Sequence, residues 1–179
     1  MPHNPNERLV LFSDAVIAIT ITLLVLEIRL PEGTAGLTDA ALWSTLRANL
    51  PQFRSYLMSF AVIGAFWLGH QQKFAIITGT SRRLMLTNLL FLCAIGTVPF
   101  VTGLLAKNPG VLATQIYAAI MALCALGLLG ISRVTVGSGL IDPATPRRQV
   151  HRNLGIGAAN VVVFRLSIPQ AVRDADWAK

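Results

Sequence analysis

An all-α integral membrane helical bundle is the fold class that the sequence predicts, and three observations indicate it. Four long apolar runs divide the 179 residues. Only 13% of the residues are charged and 54% are hydrophobic, whereas ordinary soluble domains carry about 25% charged residues. The basic residues stand largely in the short gaps between the apolar runs, where membrane topology places them. We therefore predict one multi-pass membrane domain in contact with the lipid bilayer.

The same composition excludes several classes of function. The net charge of +7 comes without a basic helix and without aromatic and basic residues in alternation, so we predict no nucleic-acid partner. Cys93 and Cys124 lie inside apolar runs and lack metal-ligand spacing, which predicts neither a metal site nor a disulfide framework. The sequence contains no metalloprotease, hydrolase or nucleotide-binding motif, so we predict no enzyme and no cofactor.

The first apolar run, residues 8–31 (RLVLFSDAVIAITITLLVLEIRLP), is predicted to form the first spanning helix. About 20 residues rising ~1.5 Å each cover the ~30 Å hydrocarbon core of a bilayer. Pro31 is expected to end the helix, because proline has no N–H and disfavours helical geometry in the preceding residue. The run is too long for the core of a cleavable signal peptide, so we expect it to stay as an anchor.

One face of this helix is a narrow apolar stripe. Four side chains share it at about 100° per residue, namely Phe12, Ile19, Leu23 and Leu26. Thr22 lies at the edge of the stripe, whereas Asp14 lies on roughly the opposite side. The stripe is a candidate pore wall, and packing against a core or against lipid is the commoner alternative for an arbitrary membrane helix. The periodicity alone does not decide between the two.

The remaining elements follow from the same patterns. Thr38 or Asp39 is expected to cap an interfacial amphipathic helix over residues 39–50, with Trp43 at the level of the lipid headgroups. Three further spans are predicted over residues 51–68, about 81–105 and 111–131. Pro99 is expected to kink the third of the four spans.

The two ends of the chain are less regular. Residues 1–7 are predicted to be a short polar lead in the cytoplasm, and residues 8–179 a single transmembrane domain. Residues 154–164 are apolar but short, so a fifth span there would have marginal length. The tail from about residue 165 is atypical of a membrane bundle. The sequence therefore predicts four clear spans and a fifth of marginal length.

Polar residues at the end of the second span form another candidate site. Residues 70–73 (HQQK) are expected to mark the water boundary. Trp67 and His70 are possible pH-sensing or packing partners there, and His70 is either a pH-sensitive gate element, a partner of Asp14, or an interfacial histidine bonded to a helix end. We favour the last of these interpretations. Asn88 in the third span is predicted to form a hydrogen bond between helices.

The distribution of basic residues predicts the orientation. One side of the predicted topology carries eight basic residues, which are Arg8, Lys73, Arg82, Arg83, Arg133, Arg147, Arg148 and Arg152. The other side carries only Arg29, Arg47 and Lys107, offset by three acidic residues. The positive-inside rule therefore places the N-terminus in the cytoplasm. The predicted location is the cytoplasmic membrane.

The residue motifs within the apolar runs resemble those of a known family. Arg8, Phe12, Ser13 and Asp14 spell R-x-x-x-F-S-D at the head of the first run. The second run ends in the W-x-x-H of Trp67 and His70, and NLLFLCAIGTVPFVTGLL follows in the third. These stretches resemble the bacterial branch of the transmembrane protein 175 family, potassium channels also found in endosomes and lysosomes. The resemblance covers roughly residues 8–106.

The resemblance implies a fold, a function and a set of site residues. It implies a homotetramer with a central pore lined by the first helix of each subunit. Ile19, Leu23 and Leu26 match pore constriction rings, and Thr22 matches a pore-facing threonine. The structural motif of Arg8, Phe12, Ser13 and Asp14 would hold the first helix to its neighbours without touching the ion. The family's bacterial subunits have six helices, so this chain differs from them in its last third.

The expected function is a potassium-permeable cation channel with hydrophobic constrictions. Potassium would be the permeant ion. No T-V-G-Y-G filter is present, so narrow apolar rings that exclude water would have to act instead. A proton- or cation-coupled carrier that uses Asp14 and His70 as titrating groups is one alternative. A non-conducting membrane scaffold is another, because no sixth helix is evident.

Overall fold

A computed structural model describes residues 6–150 and 152–153 of the chain. Its helices are α1 (Glu7–Leu23), a 3₁₀ segment (Leu24–Glu27), α2 (Asp39–Ala48), α3 (Leu50–Phe74), α4 (Arg82–Gly96), α5 (Val98–Lys107) and α6 (Val111–Gly137). The described part has no strand, only an isolated antiparallel bridge between Ile77 and Ile141. The all-α prediction is confirmed. The predicted fifth span and the tail from about residue 165 lie outside the described residues.

The first helix ends earlier than predicted. The α-helix stops at Leu23 and tightens into the 3₁₀ segment, after which Ile28 is extended. Pro31 therefore does not end the helix, and that expectation was wrong. The buried face of α1 is formed by side chains at intervals of three or four residues, which are Ser13, Ile17, Thr20 and Leu24.

The other boundaries differ in an informative way. Thr38 caps α2 by accepting a hydrogen bond from the backbone N–H of Ala41, as one of the two predicted caps. The predicted third span breaks at Thr97 into α4 and α5, with Pro99 in the first turn of α5. A proline is tolerated there because the first N–H groups of a helix have no intrahelical partner. The predicted kink at Pro99 is therefore confirmed as a break.

Three stretches of the described residues are long and apolar enough to cross a membrane: Glu7–Glu27, Arg82–Lys107 and Val111–Gly137. The predicted count of four is not reached, because α3 is long at 25 residues but less apolar. The helix also continues past the predicted end at Leu68 to Phe74. The polar residues 70–73 thus belong to the helix rather than to a boundary loop.

The core joins one face of each long helix. It contains Ile17 from α1, Leu24 from the 3₁₀ segment, Ile63 and Phe66 from α3, Phe91 from α4 and Leu128 from α6, all buried. By contrast α2 buries no residue, and its Trp43 is exposed. The bundle therefore holds α1 by one side only. Among the described residues, no other part of the chain covers the opposite side of α1.

Candidate functional site

The predicted stripe lies on the uncovered side of α1. Ile19 is 59% exposed, Leu23 43% and Leu26 60%, and Thr22 and Phe12 are exposed as well. The buried residues Ile17, Thr20 and Leu24 occupy the other side of the same helix. The described part of the chain therefore does not bury the stripe. An apolar face on a membrane-spanning helix is left for lipid or for another copy of the chain.

The 3₁₀ segment changes the geometry of the stripe. In an α-helix residues three apart are offset by about 60°, whereas in a 3₁₀ helix they eclipse each other. The 3₁₀ segment begins directly after Leu23 and contains Leu26. Leu26 is thus brought closer to the line of Leu23 than the wheel of a regular α-helix predicts. The tighter turn brings Leu23 and Leu26 nearer to one line along the helix axis.

Thr22 keeps its oxygen available on the exposed face. Its hydroxyl donates a hydrogen bond to the backbone carbonyl of Ile19, at 2.7 Å. A hydroxyl that donates its only proton in this way still carries lone pairs. The oxygen at this position can therefore accept a hydrogen bond or contact a cation.

A chain of hydrogen bonds holds the N-terminal half of α1 to α4 and α3. The Asn88 amide of α4 donates to the Ser13 hydroxyl at 2.8 Å, and Ser13 donates to the Leu9 carbonyl at 2.8 Å. The Asn88 carbonyl oxygen is 2.8 Å from Nε2 of His70, so that nitrogen donates and carries a proton. All three side chains are buried. The predicted interhelical hydrogen bond of Asn88 is confirmed.

His70 differs from the favoured interpretation. It is fully buried rather than interfacial, and it bonds a side chain rather than a helix end. Its ring stacks on Phe74 and Phe91, with centroids 4.3 and 5.5 Å away. No hydrogen bond joins His70 to Asp14 in the described part of the chain. The interpretation as an interfacial histidine was wrong, because the longer α3 carries this residue into the bundle.

Asp14 is bonded to α3 instead. Its Oδ1 accepts hydrogen bonds from Nε1 of Trp67 at 2.9 Å and from Nε2 of Gln71 at 2.5 Å. Trp67 and Gln71 lie four residues apart on one helix face, where side chains meet. Arg8 is exposed and forms no hydrogen bond or ion pair within residues 6–150 and 152–153. Its expected role in holding helices together therefore does not arise from a contact with Asp14 inside one subunit.

Comparison with known proteins identifies the relatives of this arrangement. Residues 8–99 match the family described as the endosomal/lysosomal potassium channel TMEM175. The chain belongs to the TMEM175 family. A potassium channel of Streptomyces collinus is 35% identical over 146 residues, which are 78% of this chain and 69% of the relative. A potassium channel of Chamaesiphon minutus is 40% identical over 100 residues, 56% of this chain and 49% of the relative.

A solved structure and a mammalian relative extend the comparison. The crystal structure of a lysosomal potassium-selective channel TMEM175 homologue from Chamaesiphon minutus matches with a TM-score of 0.71 and 29% identity. The match covers 92% of this chain and 89% of that one. The human endosomal/lysosomal proton channel TMEM175 is 33% identical over 117 residues, 60% of this chain and 23% of the human protein. These relatives are channels, and this TMEM175-family chain is likewise not an enzyme.

Several residues of this TMEM175-family chain that the sequence analysis placed at boundaries hold the bundle together. Lys73 was expected at a water boundary but is buried, and its Nζ donates to Ser132 at 2.6 Å and to the carbonyl of Asn153 at 2.9 Å. Gln71 could have been found from the sequence, because it lies four residues after Trp67 and so shares one helix face with it. Glu27 pairs with Lys107 at 3.3 Å. Apart from the charge of Glu27, nothing in the sequence indicated this contact.

Proposed function

We propose that the chain is a subunit of a potassium-permeable cation channel in the cytoplasmic membrane. The observation that carries this proposal is the uncovered apolar stripe on the first helix of a TMEM175-family member. A subunit that leaves Ile19, Leu23 and Leu26 exposed on a spanning helix has a face that several copies can enclose around one axis. The domain from residue 8 onward would form this channel as a homotetramer, with the first helices in the centre.

The proposed pore works through apolar rings. Ile19, Leu23 and Leu26 would form three rings about one helical turn apart, roughly 5–6 Å. Narrow apolar rings exclude water and gate by dewetting. Thr22, whose oxygen keeps free lone pairs, would replace part of the hydration shell of the ion between the rings. Ile19 would be the ring nearest the cytoplasm.

The proposed orientation has the N-terminus in the cytoplasm. It follows from the predicted excess of basic residues on one side of the bundle. Cysteines placed at Asn4 and Gly36 should react from opposite sides of intact cells. Protection of Gly36→Cys together with outside labelling of Asn4→Cys would reverse the topology.

The function is tested by recording from the purified protein in planar bilayers. Discrete single-channel openings carried by potassium are expected, with a smaller sodium conductance. Saturable, electrically silent exchange would instead indicate a carrier, and silence from an intact oligomer a scaffold. Because the human relative is named a proton channel, currents are also recorded under a pH gradient in solutions without potassium. A current that follows only the proton gradient would replace potassium as the permeant ion.

A further inference from the structure

We propose that Glu27 is a positioning residue whose carboxylate, held between Gly103 and Lys107 of α5, keeps the 3₁₀ segment tight and the Leu26 ring in line with the Leu23 ring. This inference rests on the proposed pore. Glu27 has its side chain partly buried, and its Oε2 lies 3.3 Å from Nζ of Lys107. Among the described residues this is the one ion pair.

Gly103 shows that the carboxylate has a built resting place. A Cβ at this position would collide with Oε2 of Glu27 and lie 2.6 Å from its Cδ. The carboxyl group therefore lies directly over the α5 backbone, in space that any side chain at residue 103 would occupy. Lys107 follows one helical turn later, so its ammonium reaches the same carboxylate. The two residues of α5 together fix the position of the Glu27 carboxylate.

The contact of Glu27 bears on the direction of Leu26. A 3₁₀ turn at the C-terminal end of an α-helix is common in itself. A 3₁₀ helix has poorer hydrogen-bond geometry than an α-helix and seldom runs beyond about 3–4 residues. Leu24–Glu27 is such a segment, and Glu27 is its last residue. Relaxation of this segment to α geometry would turn Leu26 away from the line of Leu23 by up to about 60°. Holding Glu27 therefore sets the direction of the outermost ring.

A second attachment lies just beyond the segment. The backbone N–H of Arg29 donates to the Gln52 side chain at 3.1 Å, and its carbonyl accepts from Asn49 at 3.3 Å. These bonds restrain the chain after the 3₁₀ segment, whereas Glu27 restrains the segment itself. Removal of the Glu27 contact should therefore alter the Leu26 ring without releasing the whole outer end of α1.

The test compares three variants that disturb the contact in different ways. Glu27→Gln and Lys107→Gln each remove one charge, while Gly103→Ala displaces the carboxylate and leaves both charges in place. Gly96→Ala is the matched control, since a Cβ there meets nothing within 4 Å. The first readout is disulfide cross-linking between subunits of Leu26→Cys in a background without Cys93 and Cys124. The second is the potassium-to-sodium flux ratio in proteoliposomes at low and high ionic strength.

All three variants are expected to lower cross-linking at Leu26→Cys and to lower the flux ratio about two- to fivefold, the size of one partly exposed ion pair. The charge-swapped pair Glu27→Lys with Lys107→Glu should recover part of the cross-linking, and Gly96→Ala should match the wild type. Unchanged cross-linking in Glu27→Gln, or an unchanged Gly103→Ala, would overturn the proposal. A third outcome would also overturn the proposal. If Glu27→Gln and Lys107→Gln changed the flux ratio in opposite directions, and both changes vanished at high ionic strength, Glu27 would act by attracting cations electrostatically.

The two readouts separate this inference from the proposed function. A wild-type protein that assembles but carries no ion flux would defeat the proposed channel activity. The cross-linking at Leu26→Cys would still report whether Glu27 positions this face of the helix. A wild-type protein that conducts potassium while Glu27→Gln leaves both readouts unchanged would defeat the positioning role alone.

Discussion

The two halves of the first helix are held by different means. In the N-terminal half, Ser13 and Asp14 are bonded to two neighbouring helices through Asn88, Trp67 and Gln71. In the C-terminal half, the exposed side is apolar, and the opposite side buries Thr20 and Leu24. The segment that follows is held by one partly exposed ion pair and two bonds to the backbone of Arg29. Polar contacts to two helices thus hold the N-terminal half, whereas the C-terminal half is held by apolar burial and by fewer polar contacts.

This difference separates assembly from permeation. Buried polar groups on facing helices fix one packing arrangement, because a wrong arrangement leaves them without partners. An apolar stripe carries no such restriction and can meet lipid, another subunit or a water-filled axis. We therefore expect changes at the polar contacts of the N-terminal half of α1 to affect the stability of the bundle. Changes on the exposed apolar stripe should affect ion flux.

A large effect on stability is expected for Asn88→Ala. The change leaves the Ser13 hydroxyl and Nε2 of His70 buried without their shared partner, and each such group costs about 1–3 kcal/mol. Membrane proteins usually show smaller values for interhelical hydrogen bonds, about 0.6 kcal/mol on average. Since Asn88 serves two buried groups, we expect a loss of about 2 kcal/mol or more in the free energy of unfolding, measured by denaturation in detergent.

Asn108→Ala is the matched control for this variant. Asn108 is exposed and donates only to the carbonyl of Leu104, so its removal should change stability little. Similar losses for Asn88→Ala and Asn108→Ala would show that the buried chain of hydrogen bonds does not anchor α1.

A smaller effect on assembly is expected for Asp14→Ala. The carboxylate oxygen accepts from both Trp67 and Gln71, and these donors are only partly buried, so water can replace part of what is lost. We expect Asp14→Ala to lose oligomer on size-exclusion chromatography, and Asp14→Asn to retain it because its amide oxygen still accepts. A stable Asp14→Ala oligomer with altered ion selectivity would instead place Asp14 in the conduction path.

The sequence predicted most of this division but not its details. The order of the long helices over residues 8–137 followed from hydropathy, although the predicted third span is divided at Thr97 into α4 and α5. The wheel placed Ile19 and Leu23 on the side of α1 that is exposed, and Asp14 on the side that bonds to α3. The extent of α3 was missed because His70, Gln71 and Lys73 are polar, and hydropathy cannot tell a polar residue in water from one paired inside a bundle. The 3₁₀ segment was missed for another reason. The contact of its last residue, Glu27, with Gly103 joins residues far apart in the sequence, and no local pattern indicates it.

The role of the exposed stripe in ion flux is tested by Ile19→Ala, with Ile17→Ala on the buried side of α1 for comparison. The two isoleucines lie on opposite sides of α1, Ile17 buried and Ile19 exposed. Ile17→Ala should leave a cavity and cost about 2–5 kcal/mol of stability with little change in selectivity. Ile19→Ala should keep the oligomer but widen a ring, so that potassium and sodium leak rises severalfold and discrimination falls. Leu26→Ala should act in the same direction.

Val25→Ala is the second control for this comparison. Val25 is exposed but lies off the line of Leu23 and Leu26, so its truncation should change flux little. Flux into proteoliposomes is measured for each variant after its assembly has been checked. Equal effects at Val25 and Ile19, or lost stability without changed flux at Ile19, would return the stripe to ordinary packing.

The smallest effect is expected for Thr22→Val, which keeps the shape of the side chain and removes one hydroxyl. If this oxygen replaces a water of the ion, its loss should lower the potassium-to-sodium flux ratio by roughly two- to tenfold, the range of one hydrogen bond. Thr20→Val is the matched control, because Thr20 makes the same type of bond to its own helix, to the carbonyl of Val16, but faces the core. The flux ratio should fall for Thr22→Val alone, with both variants assembling normally. Equal ratios in the two variants would mean that selectivity arises from the apolar rings without a contribution from the hydroxyl.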